Sequence, residues 1–317
     1  MVVTTKVNFY TIDEHHAGQR LDNYLFFCYR GIPKSKIYQI IRTGQVRINK
    51  KRAAAAQRLQ VSDIVRVPPL RTEAARLPDE QGLSKVRKTL LEQAILSEDE
   101  SYLIINKPRD FAVHGGSNIA QGLIEQYRIL RPDLRFLQLC HRLDRETTGC
   151  LVLAKQRIAL LAFQQLLVSR QMDKHYLVLV HGSWPKQVQS IIAPLVRVRC
   201  KTGEGKVTVA PQGKTAITQI LSSRSSGKVS LLQVALITGR MHQVRSHCQY
   251  QGYPVIGDLK YGDRKCDQGL GLGKQVPLGL HAHQMTFTVL GKTYQIIAPP
   301  DATWESLILQ LGFDTID

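Results

Sequence analysis

The stretch His141-Arg142-Leu143-Asp144-Arg145-Glu146-Thr147-Thr148-Gly149 runs straight into the apolar segment Cys150-Leu151-Val152-Leu153-Ala154. The first part is polar and closes on a Thr-Thr-Gly turn; the second reads as a buried strand. Asp144 therefore sits on a turn at the mouth of a strand, between two guanidinium side chains. Flanking positive charge favours the ionised carboxylate, available as a nucleophile or a base, and draws in a polyanion. An aspartate in a turn is also a routine cap, with Thr147 satisfying backbone groups nearby. The rest of the chain decides between these readings.

Outward from this point, strand-like runs dominate everything after Ala94: Tyr102-Leu103-Ile104-Ile105, Tyr176-Leu177-Val178-Leu179-Val180, Leu231 to Ile237 and Thr286 to Leu290. Helical spacing appears between them. Ile158 to Val168 carries Leu160, Leu161, Phe163, Leu166 and Leu167, and Ala302 to Leu311 reads as a terminal helix after Pro299-Pro300. The mixture predicts an α+β domain with a mixed, largely antiparallel sheet and flanking helices. Arg197 to Lys214 and Asp263 to Lys274 are rich in Gly and Lys and are expected to be exposed loops. No fixed-period repeat is present.

The N-terminal quarter differs in character. Between Met1 and Arg71 there are 13 Lys/Arg against 4 Asp/Glu, a net of +9 out of +18 for the 317-residue chain. Leu21, Tyr24, Leu25 and Cys28 recur at helical spacing. Gly31-Ile32-Pro33 breaks that helix. Lys34-Ser35-Lys36 starts a second, with Ile37, Ile40 and Ile41 on one face and Gly44 at its end. Val46 to Asn49 and Val61 to Val67 alternate as strands. The expected division is a small basic domain over 1–71, a polar linker over 72–93 and a larger domain over 94–317.

A charge of +18 and a pI near 9.8 point to a polyanion or an anionic surface as partner. No apolar run approaches the roughly 20 residues that span a bilayer, and Met1 to Lys6 lacks the order of a secretion signal. A cytoplasmic protein is expected. The six cysteines form no CxxC pair and read as small buried hydrophobes in a reducing compartment. His281-Ala282-His283 alternates on a strand, and His242 and His247 do not share a helix face, so no metal site is expected. His114-Gly115-Gly116-Ser117 lacks the Lys-Ser/Thr ending of a phosphate loop, so no nucleotide cofactor is expected either.

Several stretches, in order, resemble one family. His141 to Gly149 resembles the catalytic motif of the RluA-type pseudouridine synthases, which turn uridine in RNA into its C-glycoside isomer. Ile95 to Ser117 (ILSEDESYLIINKPRDFAVHGGS) resembles the block that opens their catalytic domain. Lys174-His175-Tyr176 with Val178 to Gly182 resembles the next strand. Thr238 to His247 and Gly252 to Asp258 resemble the third motif, and Leu280-His281-Ala282 begins the last. The likeness covers nearly the whole chain.

The resemblance implies an RNA uridine isomerase that uses no cofactor. It implies Asp144 as the reacting carboxylate, by attack on sugar or base or by proton abstraction. It implies Arg245 as the cation that pairs with and orients Asp144, and Tyr176 as the ring that stacks on the target base. Arg142 is implied as the side chain that holds open the space left by a flipped nucleotide. Each has a plainer reading: a phosphate contact for Arg142 and Arg245, a packed strand-edge ring for Tyr176. The N-terminal helices and strands, with Lys34, Lys36, Arg42, Arg47, Lys50, Lys51 and Arg52 along them, resemble an S4 RNA-binding module, against a merely solvated basic face. Bacterial 23S ribosomal RNA is the expected partner and a monomer the expected state. An enzyme of the same family acting on transfer RNA, or a non-catalytic ribosome-assembly factor, remains open at the level of sequence.

Overall fold

Ile37, Ile40 and Ile41 do lie on one buried face, that of helix Lys34–Arg42. This computed structural model describes residues 6–14, 16–29, 32–70, 83–115, 121–134, 136–199, 205–272 and 276–314. The chain divides into two units, Met1–Ser84 and Lys85–Asp317.

In the first unit, helix Leu21–Cys28 contributes Leu21, Tyr24 and Leu25 to the same hydrophobic cluster as Ile37, Ile40, Ile41, Val46, Val65 and Val67. The sheet has four antiparallel strands in the order Asn8–Thr11, Ile64–Val67, Arg47–Ile48, Lys51–Arg52. The first of these had no strong signal in the sequence. The strand expected from Val61 begins at Ile64, because Ser62 adopts a left-handed φ of 69°. Ala53-Ala54-Ala55-Ala56, which follows the strand Lys51–Arg52, does not extend it. It turns instead, and the carbonyls of Ala55 and Gln57 accept the N–H groups of Asp22 and Leu21 at 3.0 and 2.8 Å. Loose donors at a helix start are thereby satisfied without a side-chain cap. Gly31 lies outside the described residues.

The second unit is built on a ten-stranded sheet. Its main path runs Ser190–Ile192, Ile217–Ser226, Val229–Leu236, Met172–His181, Leu280–Val289, Thr148–Ala154, Tyr102–Lys107, Ile95–Glu98. Lys292–Ile297 pairs with Leu280–Val289, and Gln138–Leu139 with Thr148–Ala154. All pairings in it are antiparallel except one. Leu280–Val289 runs parallel to Thr148–Ala154, with His281 beside Thr148 and Ala282 beside Gly149. All of Thr148–Ala154 is buried, as expected for a central strand covered on both faces. Helix Arg157–Ser169 packs Ala159 and Phe163 against one cluster; Leu161, expected on its apolar face, is 49% exposed. Helix Ala302–Gln310 starts where Asp301 accepts the Trp304 N–H at 2.8 Å and buries Trp304, Leu307 and Ile308 beside Leu177, Leu179 and Leu231. No helix among the described residues is long and apolar enough to cross a membrane.

Three expectations are corrected. The stretch expected as linker ends in a helix, Lys85–Gln93, whose Leu91 is fully buried and whose Leu91 carbonyl accepts the Tyr127 hydroxyl at 2.7 Å. One buried leucine anchors it, too sparse a pattern to show as periodicity; residues 71–82 of that stretch lie outside the described residues. Arg197 to Lys214 is no loop: Leu195–Arg199 and Gly205–Val209 form an antiparallel ribbon. Its residues 200–204, and residues 273 and 274 of the second expected loop, lie outside the described residues. That second loop holds the short helix Arg264–Gly269, capped by Asp263, whose carboxylate accepts the Lys265 and Cys266 N–H groups.

Candidate active site

Gly149 decides how the Asp144 turn is docked. Its φ is +110°, and a Cβ there would stand 2.2 Å from the carbonyl oxygen of Ala282. A side chain at this point would push apart the parallel pair that carries the turn. Thr148 adds a tie: its hydroxyl lies 2.7 Å from His281 Nδ1, and His281 Nε2 lies 2.9 Å from the Ala298 carbonyl. Burial presses His281 down to about 4, so a neutral ring donates from Nε2 to Ala298 and accepts from Thr148. His283 Nδ1 reaches the same carbonyl at 3.1 Å. The alternating histidines tie backbone together here.

The far side of the turn is held by Lys107, a fully buried residue. Its ammonium donates to the carbonyls of Pro108, Phe111 and Arg145 at 2.8, 3.0 and 2.9 Å. Burial presses its pKa down to about 7, while three carbonyl acceptors favour the charged form.

Asp144 projects from this turn with its side chain 18% exposed. Arg245 Nη1 donates to its Oδ2 at 3.2 Å, and His242 Nε2 lies 3.7 Å from the same oxygen. Oδ1 bonds to no described residue. Met241, Val244 and Cys248 recur at helical spacing, a pattern that predicts a buried face with Arg245 turned away from it. In fact helix Gln243–Tyr250 is buried from Gln243 through Cys248, and Arg245 is 1% exposed. A guanidinium so buried needs close carboxylates. Asp258 supplies the main one, accepting Nε and Nη2 at 2.6 and 2.7 Å, and Glu146 lies 3.7 Å from Nη2. Burial alone would lower the Arg245 pKa; Asp258, Asp144 and Glu146 more than reverse this and hold it above its ordinary value. Burial would likewise raise Asp258, but Arg245 and the Tyr261 and Lys260 N–H groups hold it below the carboxylate range.

His242 was weighed in the sequence only as a metal ligand. The structure gives it a left-handed φ of 50° at the head of the helix. Its Nδ1 lies 2.9 Å from the Tyr261 hydroxyl, which accepts the Val207 N–H at 2.8 Å. That hydroxyl still has its own proton to give. Burial holds the His242 pKa below the histidine range, against the pull of Asp144. A neutral ring therefore accepts at Nδ1 and turns Nε2–H toward Asp144. Tyr261 also lies 5.3 Å from the Arg245 guanidinium. Asp258 closes the third motif in the sequence and Tyr261 follows it; what could not be read was the turn that folds them back onto Arg245.

Tyr176 lies on Met172–His181, 8% exposed. Its hydroxyl bonds to no described residue, and it lines a cavity of about 440 Å³. Burial, then Cys150 and Asp144, push its phenol above the ordinary range; Asp144 is thus near enough for its charge to act on the ring. Arg142 is exposed at the rim of the same cavity and pairs with no described carboxylate. Arg145 is exposed too, its Nε turned to the Asp110 carbonyl at 3.3 Å. The structure therefore brings Asp144, Arg245, Tyr176 and Arg142 to one place, with neither flanking arginine paired to Asp144. Gly116 and Ser117 of the opening block lie outside the described residues. Lys34, Lys36, Arg42, Arg47, Lys50, Lys51 and Arg52 are all exposed on the first unit, and none pairs with a carboxylate among the described residues. No group of three or more His, Cys, Asp or Glu side chains among the described residues is placed to hold a metal ion.

Known proteins share this arrangement of sequence and fold. Residues 101–250 match the family described as RNA pseudouridylate synthase, and residues 19–65 match the S4 domain. The chain is 43% identical over 310 residues to ribosomal large subunit pseudouridine synthase C of Pasteurella multocida, covering 97% of this chain and 94% of that one. It is 41% identical to the protein of the same name from Escherichia coli, covering 94% of each. Among solved structures, human RNA pseudouridylate synthase domain containing 4 superposes with a TM-score of 0.61 at 28% identity, over 73% of this chain and 98% of that one.

Proposed function

The chain belongs to the RNA pseudouridylate synthase family, and on that premise we propose that it isomerises specific uridines of bacterial 23S ribosomal RNA to pseudouridine, with Asp144 as the reacting carboxylate and no cofactor. The observation that carries this reading is the asymmetric hold on Asp144. Arg245 and His242 both face Oδ2, and Oδ1 is left open. A carboxylate fixed at one oxygen and open at the other is oriented to meet a substrate atom.

The reaction breaks the C1′–N1 bond, turns the base and joins C1′ to C5, after which C5 loses its proton and N1 takes one up. The same atoms stand on both sides, so no redox equivalent is consumed. Asp144 serves by attack on the sugar or the base, or by taking a sugar proton. Arg245 keeps the carboxylate in place through the step. Tyr176, its burial favouring the neutral phenol, offers a flat face for the flipped base. Arg142 at the rim is positioned for the space the base vacates. The exposed cations of the first unit meet phosphates, which supports a large, structured RNA as substrate.

Tritium release from C5-labelled uridine tests the reading. Wild-type protein should release label from a 23S ribosomal RNA transcript. Asp144→Asn should lower the single-turnover rate at least about a hundredfold, about 2.7 kcal/mol in barrier height. A variant within tenfold of wild type would remove Asp144 from the chemistry. Release from transfer RNA but not from ribosomal RNA would overturn the substrate.

A further inference from the structure

The cavity beside Tyr176 is lined on one side by Leu167, Val168, Leu236 and Ile237 and on the other by basic and polar side chains. Lys174 stands two residues before Tyr176 on the same strand, so both side chains leave one face of the sheet. The Lys174 ammonium makes no hydrogen bond or ion pair with any described residue. It rests against bare backbone: a Cβ on Gly239 would stand 3.9 Å from its Nζ. Burial presses its pKa below the lysine range.

His141 is the second donor. Its Nε2 accepts the Val152 N–H at 3.1 Å, which leaves the ring proton on Nδ1. The imidazole is stacked on Phe163 at 5.8 Å, with 10° between the planes. Burial, and then Lys174, press it down to about 3, so it is a neutral donor. Arg142, Arg170 and Arg240 complete its basic side. Arg240 is tethered through Nε to the Thr215 carbonyl at 3.1 Å. Arg170 holds a left-handed φ of 59° at the end of helix Arg157–Ser169, a conformation uncommon for a side chain of this kind. Among the described residues, no carboxylate lines the cavity.

None of these four cations pairs with a carboxylate among the described residues; Arg142, Arg170 and Arg240 are exposed, and the half-buried Lys174 is the one whose charge burial disfavours in the free protein. An anion relieves this, whereas a neutral base carbonyl would accept a hydrogen bond and leave the charges unbalanced. We propose that this cavity is a phosphodiester subsite, in which Lys174 Nζ and His141 Nδ1–H take the non-bridging oxygens of a phosphate adjoining the target nucleotide, with Arg170 and Arg240 holding the RNA backbone on either side. The subsite rests on the RNA-isomerase reading and deepens it. It places the strand beside the ring on which the base is to stack, so that backbone and base are gripped by neighbouring residues of one strand.

Lys174→Met and Lys174→Arg, compared with wild type in binding a 23S ribosomal RNA transcript at several salt concentrations, test this. Lys174→Met should flatten the slope of log affinity against log salt by about 0.7 to 0.9, and Lys174→Arg should keep it. Without RNA, Lys174→Met should melt no lower than wild type, because the ammonium it removes has no partner. An unchanged slope would overturn the subsite, and so would a lowered melting temperature, which would show that Lys174 is a structural support. Tritium release by the wild-type protein separates this from the reading beneath it. Release with an unchanged slope removes the subsite alone. No release with a flattened slope removes the isomerase reading and leaves a phosphate site.

Discussion

Arg245 presents the paired Nε and Nη2 of its guanidinium to Asp258, at 2.6 and 2.7 Å, and only Nη1 to Asp144, at 3.2 Å. The tight partner of the arginine is therefore not the carboxylate proposed to react. Asp258 fixes the plane of the guanidinium, and Asp144 is held at a single point. Replacing either side of the tight pair should have different signatures. Arg245→Lys keeps the charge but not the planar fork, and should lose most of its single-turnover rate. Asp258→Asn leaves a buried guanidinium short of charge, and should cost about 3 to 5 kcal/mol in urea unfolding as well as activity. Equal rates for Arg245→Lys and wild type would show that the fork does not orient Asp144.

His242 acts on Asp144 only through its tautomer, and Tyr261 sets that tautomer. His242→Ala and Tyr261→Phe should each lower the rate at saturating RNA about tenfold, with RNA affinity little changed. The double variant should be no worse than His242→Ala, since both changes break one chain of contacts. Fully additive losses in the cycle would separate the two residues.

Lys107 makes the site sensitive to pH through the fold. Its pKa is pressed to about 7, from 10.5 when unburied. Between those values the unfolded chain binds more protons than the folded one, so stability rises with pH across the window. Below about 7 both forms are charged and the full penalty of burying the ammonium is present. The three carbonyls pull the other way and place the lower edge of the window at or above that value. Wild type minus Lys107→Met, measured by urea unfolding from pH 7 to 10, should show this rise at up to about 1 kcal/mol per pH unit. Near pH 7, Lys107→Met should also slow turnover, because the Arg145 carbonyl loses its anchor beside Asp144. A flat difference across the range would refute the assignment.

Removing residues 1–84, the whole first unit, should weaken binding to ribosomal RNA while the chemical step survives. If three or four of its exposed cations meet phosphate, the slope of log affinity against log salt should shrink by roughly two to three units. Saturating RNA should recover much of the single-turnover rate. An unchanged slope would make the basic surface a solvated one.

Local patterns in the sequence carried the helices well, because Ile37, Ile40 and Ile41, or Trp304, Leu307 and Ile308, mark their buried faces at helical spacing. They also placed Asp144 on a turn before a buried strand. The Leu195–Arg199 and Gly205–Val209 ribbon was hidden because most of its side chains are polar or only half-buried, and its pairing is what makes it regular. The partners of Arg245 and His242 were hidden for a different reason. Asp258 and Tyr261 reach them through a turn after the helix, a spatial fact with no period in the chain. The parallel pairing of His281 with Thr148 joins residues 133 positions apart, and no local pattern can signal it.

That pairing bears on how the protein is made. Asp144 and Tyr176 are close in the chain, yet the strands that carry them are not neighbours; Leu280–Val289 lies between Thr148–Ala154 and Met172–His181. On a ribosome synthesising this protein, both residues emerge long before the strand that spaces them. Their spacing is set only by a strand translated much later. A polypeptide cut short before Leu280 would carry Asp144, Tyr176 and Arg245 and still lack the strand that sets their distance, so on the proposed roles of these residues premature termination should yield an inert chain and not a weakened enzyme.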